Sequence, residues 1–176
     1  MAQTSPSASF SPMPLEAFMQ AALDGQLDPV RNGIRSGTNV NATDGDGRTA
    51  LMLAAFNDHA EVVRQLIAAG ANVRAEDGAG RTPLMYACTG PSDETVDVLL
   101  RQGAVVDRID NGEGWTPLMF AAAEGHAGVV EILLEAGADP TVVDEDKDTA
   151  ASFARQRGHA ELAERLEKAM ANHPAE

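Results

Sequence analysis

Apolar side chains recur along this chain at helical spacing, in stretches that lie a near-constant distance apart. Residues 62–67 (VVRQLI) and 129–134 (VVEILL) carry the same pattern, which predicts the buried face of an amphipathic helix. A Thr-x-Leu-Met phrase recurs in step with these stretches, at intervals of 33, 34 and 33 residues; its copies begin at Thr49, Thr82, Thr116 and, in degraded form, Thr149. A fixed period of this length indicates stacked supersecondary units.

The second copy illustrates how one unit is built. Thr82 has a hydroxyl that suits a helix N-cap, and Pro83 stands at the first helical position, where its missing N–H costs nothing. After a turn at residues 90–92, a second helix is predicted from about Asp93. Gly103 ends that helix at a position that favours a left-handed residue, and a polar loop then leads to the next threonine. Each unit is therefore predicted to be a helix, a turn, a second helix and a loop.

The period divides the chain into a leader, one repeat domain and a tail. We expect a Ser/Pro-rich leader over residues 1–14, a single domain over 15–172 and a tail over 173–176. The terminal units are the most altered, as capping units exposed to water on one side should be. The five predicted units span about 15–47, 48–80, 81–114, 115–147 and 148–172.

Composition and charge narrow the possible functions. The net charge is −14, which argues against nucleic-acid binding and favours a partner with a basic surface. The chain has a single cysteine, and its first residues lack the charged and apolar regions of a secretory signal, so we expect a cytoplasmic protein. No apolar run approaches the length of a membrane span. We also expect a monomer.

The recurring motifs resemble the ankyrin repeat family. They are Asp-Gly-x-Gly-x-Thr-Pro-Leu, then Ala-Ala, then Gly-His, then Val-Val-x-x-Leu-Leu-x-x-Gly-Ala, and the resemblance covers residues 15 to about 170. Met52, Met85 and Met119 stand where the family usually has histidine. The resemblance implies an all-α solenoid of stacked helix-turn-helix repeats with protruding hairpin-like loops. It also implies protein–protein interaction through the concave face, without catalysis.

Three histidines and one cysteine are the candidates for chemistry. His59, His126 and His159 occupy equivalent repeat positions, so neighbouring copies should lie about 10 Å apart, too far to share a zinc ion. A structural role at the turns is the favoured interpretation. Cys88 takes a position occupied elsewhere by alanine and should be buried, with no activating base nearby. We therefore expect no catalytic residue, no metal and no cofactor.

The residue before each threonine is not determined by the fold and suggests a contact row. Arg48, Arg81 and Trp115 occupy this position in successive units, and Trp and Arg are enriched at binding hot spots. With Phe56 and Glu113 they form the partner-binding hypothesis. The alternative interpretation is that the arginines neutralise nearby aspartates and that the tryptophan packs on its own loop.

Two further functions are compatible with the sequence. One is a dedicated inhibitor or regulator, for example an immunity-type protein, whose acidic face blocks the active site of a basic enzyme or toxin; its binding should be sensitive to salt. The other is catalysis, which would need a deep cleft with converging titratable side chains. The sequence offers no motif for such a cleft.

Overall fold

A computed structural model describes residues 11–173, which fold into ten α-helices arranged as five successive pairs. Residues 1–10 of the predicted leader and 174–176 of the predicted tail lie outside the described residues. The helices are α1 (Leu15–Leu23), α2 (Leu27–Arg35), α3 (Ala50–Phe56), α4 (Ala60–Ala68), α5 (Pro83–Cys88), α6 (Asp93–Arg101), α7 (Pro117–Glu124), α8 (Ala127–Glu135), α9 (Ala150–Gln156) and α10 (Ala160–Asn172).

The helix pairs stack side by side in chain order. First helices contact one another in the order α1, α3, α5, α7 and α9, and second helices do so in the order α2, α4, α6 and α8. One continuous apolar core runs from Phe18 to Leu166 between and along these rows. Within residues 11–173 the backbone forms no strand beyond an isolated bridge between Thr43 and Thr49. The predicted all-α solenoid is confirmed.

Each Thr-x-Leu-Met phrase starts a first helix through a reciprocal cap that includes sulfur. At α7, the Met119 N–H donates to Thr116 Oγ1 (3.3 Å), and the Thr116 N–H donates to Met119 Sδ (3.4 Å). The same pair of contacts opens α3 and α5. At α9, Ser152 Oγ takes the place of the sulfur and accepts the Thr149 N–H at 3.3 Å. The methionine that replaces the family's histidine thus satisfies a buried donor at the helix start.

The repeated histidines hold consecutive units together. His59 Nε2 lies 3.0 Å from Leu23 O, and His126 Nε2 lies 3.2 Å from Thr89 O, so each ring reaches a carbonyl at the end of the preceding first helix. These contacts agree with the predicted structural role. Ser92 occupies this position in the third unit; its hydroxyl is buried and has no partner among the described residues.

The loops between units are short hairpins whose tips are joined in a row. In the loop after α6, Asp110 Oδ1 accepts the N–H groups of Gly114 and Trp115, both at 3.0 Å. Neighbouring tips are linked by backbone hydrogen bonds from Gly78 N to Asp46 O, from Asn111 N to Ala79 O and from Glu145 N to Glu113 O, at 2.9, 2.8 and 3.2 Å. Because each tip is bonded to the next, the loops form one preorganised edge.

Candidate protein-binding surface

An open groove of about 890 Å³ lies where the first helices of units 1, 2 and 3 (α1, α3 and α5) meet the loops. This side, made of the first helices and the loops, is the predicted concave face. Phe56 at the end of α3 is 48% exposed within the groove. The groove is lined by Leu15, Glu16, Met19, Gln20, Leu23, Asp44, Arg48, Leu53, Phe56, Arg81 and Tyr86.

The guanidinium group of Arg48 is held by its own loop. Its Nη2 lies 2.8 Å from Asp44 Oδ2 and 3.3 Å from Asp46 Oδ2, and its Nε donates to Asp44 Oδ2 at 2.8 Å. The hydrogen bond to Asp44 is the main cause that raises the pKa of Arg48 above its usual value. Arg48 is therefore a fixed cation at the groove rim, with its charge balanced by two carboxylates.

Arg81 is the more exposed of the two arginines and bridges two units. Its Nε lies 3.7 Å from Asp110 Oδ2, and its guanidinium carbon lies 5.5 Å from the centroid of the Phe120 ring. That distance is within the range of a cation–π contact. The side chain thus lies over the surface between α5 and α7.

Trp115 packs against two aromatic rings. Its ring centroid lies 5.1 Å from that of Phe120 and 4.3 Å from that of Phe153, so it fills the space between α7 and α9. Its Nε1 is buried, which leaves a partner only part of the carbon surface of the indole. The structure therefore places this residue in packing between units, with helices rather than with its own loop.

The five residues of the predicted contact row fall into two groups. Arg48, Phe56 and Arg81 line the same groove. Glu113 and Trp115 are not among the residues that line it: Glu113 is exposed at the tip of the loop that ends the third unit, and Trp115 begins the fourth unit. The structure brings three of the row together and leaves two beside them.

The first helix α1 contributes half the groove's apolar lining, and the sequence interpretation missed it. Leu15 and Leu23 lie 33 residues before Arg48 and Phe56, so they hold the same repeat positions one unit earlier. The signal was available in the repeat period. It was hidden because the first unit lacks the Thr-Pro-Leu phrase that marks the register elsewhere.

Tyr86 is the polar wall of the groove. Its hydroxyl donates to Asp77 Oδ2 at 2.7 Å, and its ring meets Phe56 edge-on with centroids 6.3 Å apart. Burial, followed by the contact with Asp77, raises the pKa of the Tyr86 phenol well above its usual value. The phenol therefore stays neutral and fixes the position of the ring that Phe56 contacts.

The described residues hold no arrangement typical of metal binding or nucleophilic catalysis. No group of three or more His, Cys, Asp or Glu side chains within residues 11–173 is placed to hold a metal ion. Cys88 is fully buried, and burial raises the pKa of its thiol far above the usual value. An inaccessible, protonated thiol is a poor nucleophile.

A repeated helix-pair solenoid with a groove on its loop side is the architecture of a protein-interaction scaffold. Comparison with protein families found that a model for ankyrin repeats (three copies) matches residues 18–110, 77–144 and 92–174. The chain belongs to the ankyrin repeat family. Ankyrin repeats are generally protein–protein interaction modules, and the family is typically non-catalytic. A search of curated proteins returned no significant match. Among the helices of residues 11–173, none has the length and apolar character needed to span a bilayer.

Proposed function

We propose that this chain binds another protein through the groove side of its first helices and loops, and catalyses no reaction. The observation that carries the proposal is the groove itself, which exposes Phe56 and is also lined by Arg48 and Arg81. A solvent-exposed aromatic in a concavity is the kind of anchor that dominates protein interfaces. Glu113 and the exposed edge of Trp115 would extend the contact from the groove towards the fourth unit.

The linked loop tips support high-affinity binding. Loops that are already held by hydrogen bonds lose little conformational entropy when a partner docks, so more of the contact energy appears as affinity. The acidic net charge favours a basic partner. The single cysteine is compatible with the cytoplasm, where we propose that binding takes place.

The test starts from the native partner. It would be recovered by affinity capture with the full chain, identified by mass spectrometry and then titrated against Phe56→Ala, Arg81→Ala and a control, Glu135→Ala, on the second-helix side of the fourth unit. We expect each row variant to weaken binding about tenfold, a loss of about 1.4 kcal/mol, and the control to leave it unchanged. Unchanged affinity for both row variants would refute the contact row.

The same experiment addresses the inhibitor alternative. If the captured partner is an enzyme or toxin, its activity would be assayed with the chain at increasing concentration and at two salt concentrations. Loss of activity that parallels binding, and that salt relieves, would favour the dedicated inhibitor. Full activity in the saturated complex would favour a scaffold.

A further inference from the structure

The main open groove of the concave face lies at the first three units. The main groove is lined by α1, α3 and α5, and a small extension of about 70 Å³ reaches Phe120 on α7. Beyond that point Trp115 packs against Phe120 and Phe153. An apolar side chain of a partner therefore has room at units 1–3, whereas between α7 and α9 the Trp115 ring already occupies the space.

The floor of this groove is apolar and large enough for more than one side chain. Its volume of about 890 Å³ falls in the range of about 300–1,000 Å³ that is typical of ligand-binding clefts. The floor consists of Leu15, Met19, Leu23, Leu53 and Phe56, with the Tyr86 ring as one wall. Burial of such carbon surface favours an aliphatic or aromatic anchor.

The positive charges at the rim do not favour an acidic partner. Arg48 is paired with Asp44 and Asp46, and Arg81 lies near Asp110, so each guanidinium already has a carboxylate counterpart. A partner carboxylate would have to displace these contacts. The arginines therefore define the edge of the groove without giving it a net positive charge.

Uncompensated negative charge lies further along the same edge. Glu113, Glu145 and Asp146 are exposed at the loop tips of the last two loops, and none of them has a cation within 4 Å among residues 11–173. Lys147 is the one base exposed on these tips. Because the tips are hydrogen-bonded in a row, the acids hold a fixed position relative to the groove.

We infer that the partner segment is bipartite: apolar residues occupy the groove of units 1–3, and lysine or arginine residues lie against the acidic tips of the last two loops, which carry Glu113, Glu145 and Asp146. This inference rests on the proposed function and specifies its ligand. Units are spaced by about 10 Å. Since an extended chain rises about 3.3 Å per residue, one to two units correspond to roughly three to six residues between the anchor and the basic cluster.

The test uses random twelve-residue peptides displayed on phage and selected on the full chain. Peptides that survive selection would be synthesised and titrated by fluorescence anisotropy. We expect them to combine an apolar cluster with Lys or Arg. The variant Phe56→Asp should weaken binding at least tenfold. The double variant Glu113→Lys with Glu145→Lys should weaken binding about fivefold and reduce its salt dependence. The control Glu135→Lys should have no effect on binding.

Several results would overturn the inference. One is that the selected peptides are acidic or lack apolar residues. Another is that they bind Phe56→Asp as tightly as the wild type. A third is that no peptide binds at all, which would mean that the groove is covered or closed in solution. Self-association of the chain that disappears in Phe56→Asp would identify a second copy as the occupant instead. Circular dichroism of each variant establishes that it is folded, and Phe56→Ala serves as a milder second variant.

Failure here can be separated from failure of the proposed function. A native partner whose affinity depends on Arg81, combined with selected peptides that are acidic, would keep concave-face binding and overturn the bipartite segment. A native partner that is insensitive to both Phe56 and Arg81 would overturn the proposed contact row itself.

Discussion

Replacement of Trp115 by alanine should destabilise the chain far more than replacement of Phe56. The indole packs on two rings, Phe120 and Phe153, at centroid distances of 5.1 and 4.3 Å. Each aromatic pair is worth about 0.5–1.5 kcal/mol beyond its buried area, and full truncation of a core aromatic costs about 3–5 kcal/mol. For a partly exposed tryptophan we therefore expect Trp115→Ala to lower the free energy of unfolding by about 2–3 kcal/mol.

Phe56→Ala is the matched control for this experiment. Phe56 is 48% exposed and makes one edge contact, with Tyr86 at 6.3 Å, so its loss should cost about 1 kcal/mol or less. Urea unfolding followed by far-UV circular dichroism measures both variants, and an unchanged m-value shows that the midpoint shift reports stability. Trp115 is the sole tryptophan, so its emission in the wild type follows the same transition locally.

The result decides between the two interpretations of the tryptophan. If Trp115→Ala and Phe56→Ala have the same small effect on unfolding, to within about 0.5 kcal/mol, the packing argument is refuted and the indole is free to act as a binding residue. A loss of about 2 kcal/mol or more would mean that weaker binding by Trp115→Ala cannot be assigned to a lost contact. Phe56 and Arg81 are the better probes of the surface for that reason.

Three further outcomes follow from the fold. Met119→Leu should lower the free energy of unfolding in urea by about 1–2 kcal/mol more than Met19→Leu does, because only Met119→Leu leaves the buried Thr116 N–H without its sulfur acceptor. Ser92→His alone should lower the melting temperature, and adding Asp58→Gly should recover part of that loss without exceeding the wild type, because the glycine removes the carboxylate that accepts the buried Thr95 hydroxyl at 2.7 Å. Cys88 should react with a disulfide reagent only as fast as the chain unfolds, since a thiol that is buried and protonated is protected; rapid labelling of the native chain would contradict this.

The effect of Ser92→His depends on which residues hold the equivalent positions in successive units. His59 lies directly over Gly25, where an added Cβ would come within 2.5 Å of the ring. One unit later Asp58, which has a Cβ, takes the glycine position, and the small Ser92 takes the histidine position. A histidine at 92 therefore needs a glycine at 58, and the double variant should gain the missing hydrogen bond only when both changes are present.

The repeat period was enough to predict the fold. The second helix predicted from about Asp93 begins at that residue, and Gly103 has the left-handed backbone (φ 86°) that its position requires. These features depend on residues close in sequence. Because the backbone follows the same path in every unit, the correct prediction of one unit also predicts the others.

The surface was harder to predict because it depends on contacts between units. The environment of Trp115 is decided by a ring 38 residues away, Phe153. The groove depends on α1, whose register the altered first unit conceals. The sulfur cap could not be recognised from the Thr-x-Leu-Met phrase, since methionine at that position is equally compatible with simple core packing.

Hydrogen–deuterium exchange of the chain with its captured partner tests concave-face binding most directly. We expect binding to slow exchange in α1, α3 and α5 and in the adjoining loops. Exchange in the second helices α4, α6 and α8 should not change. Protection confined to those second helices, with the groove helices unaffected, would show that the partner binds elsewhere than the concave face.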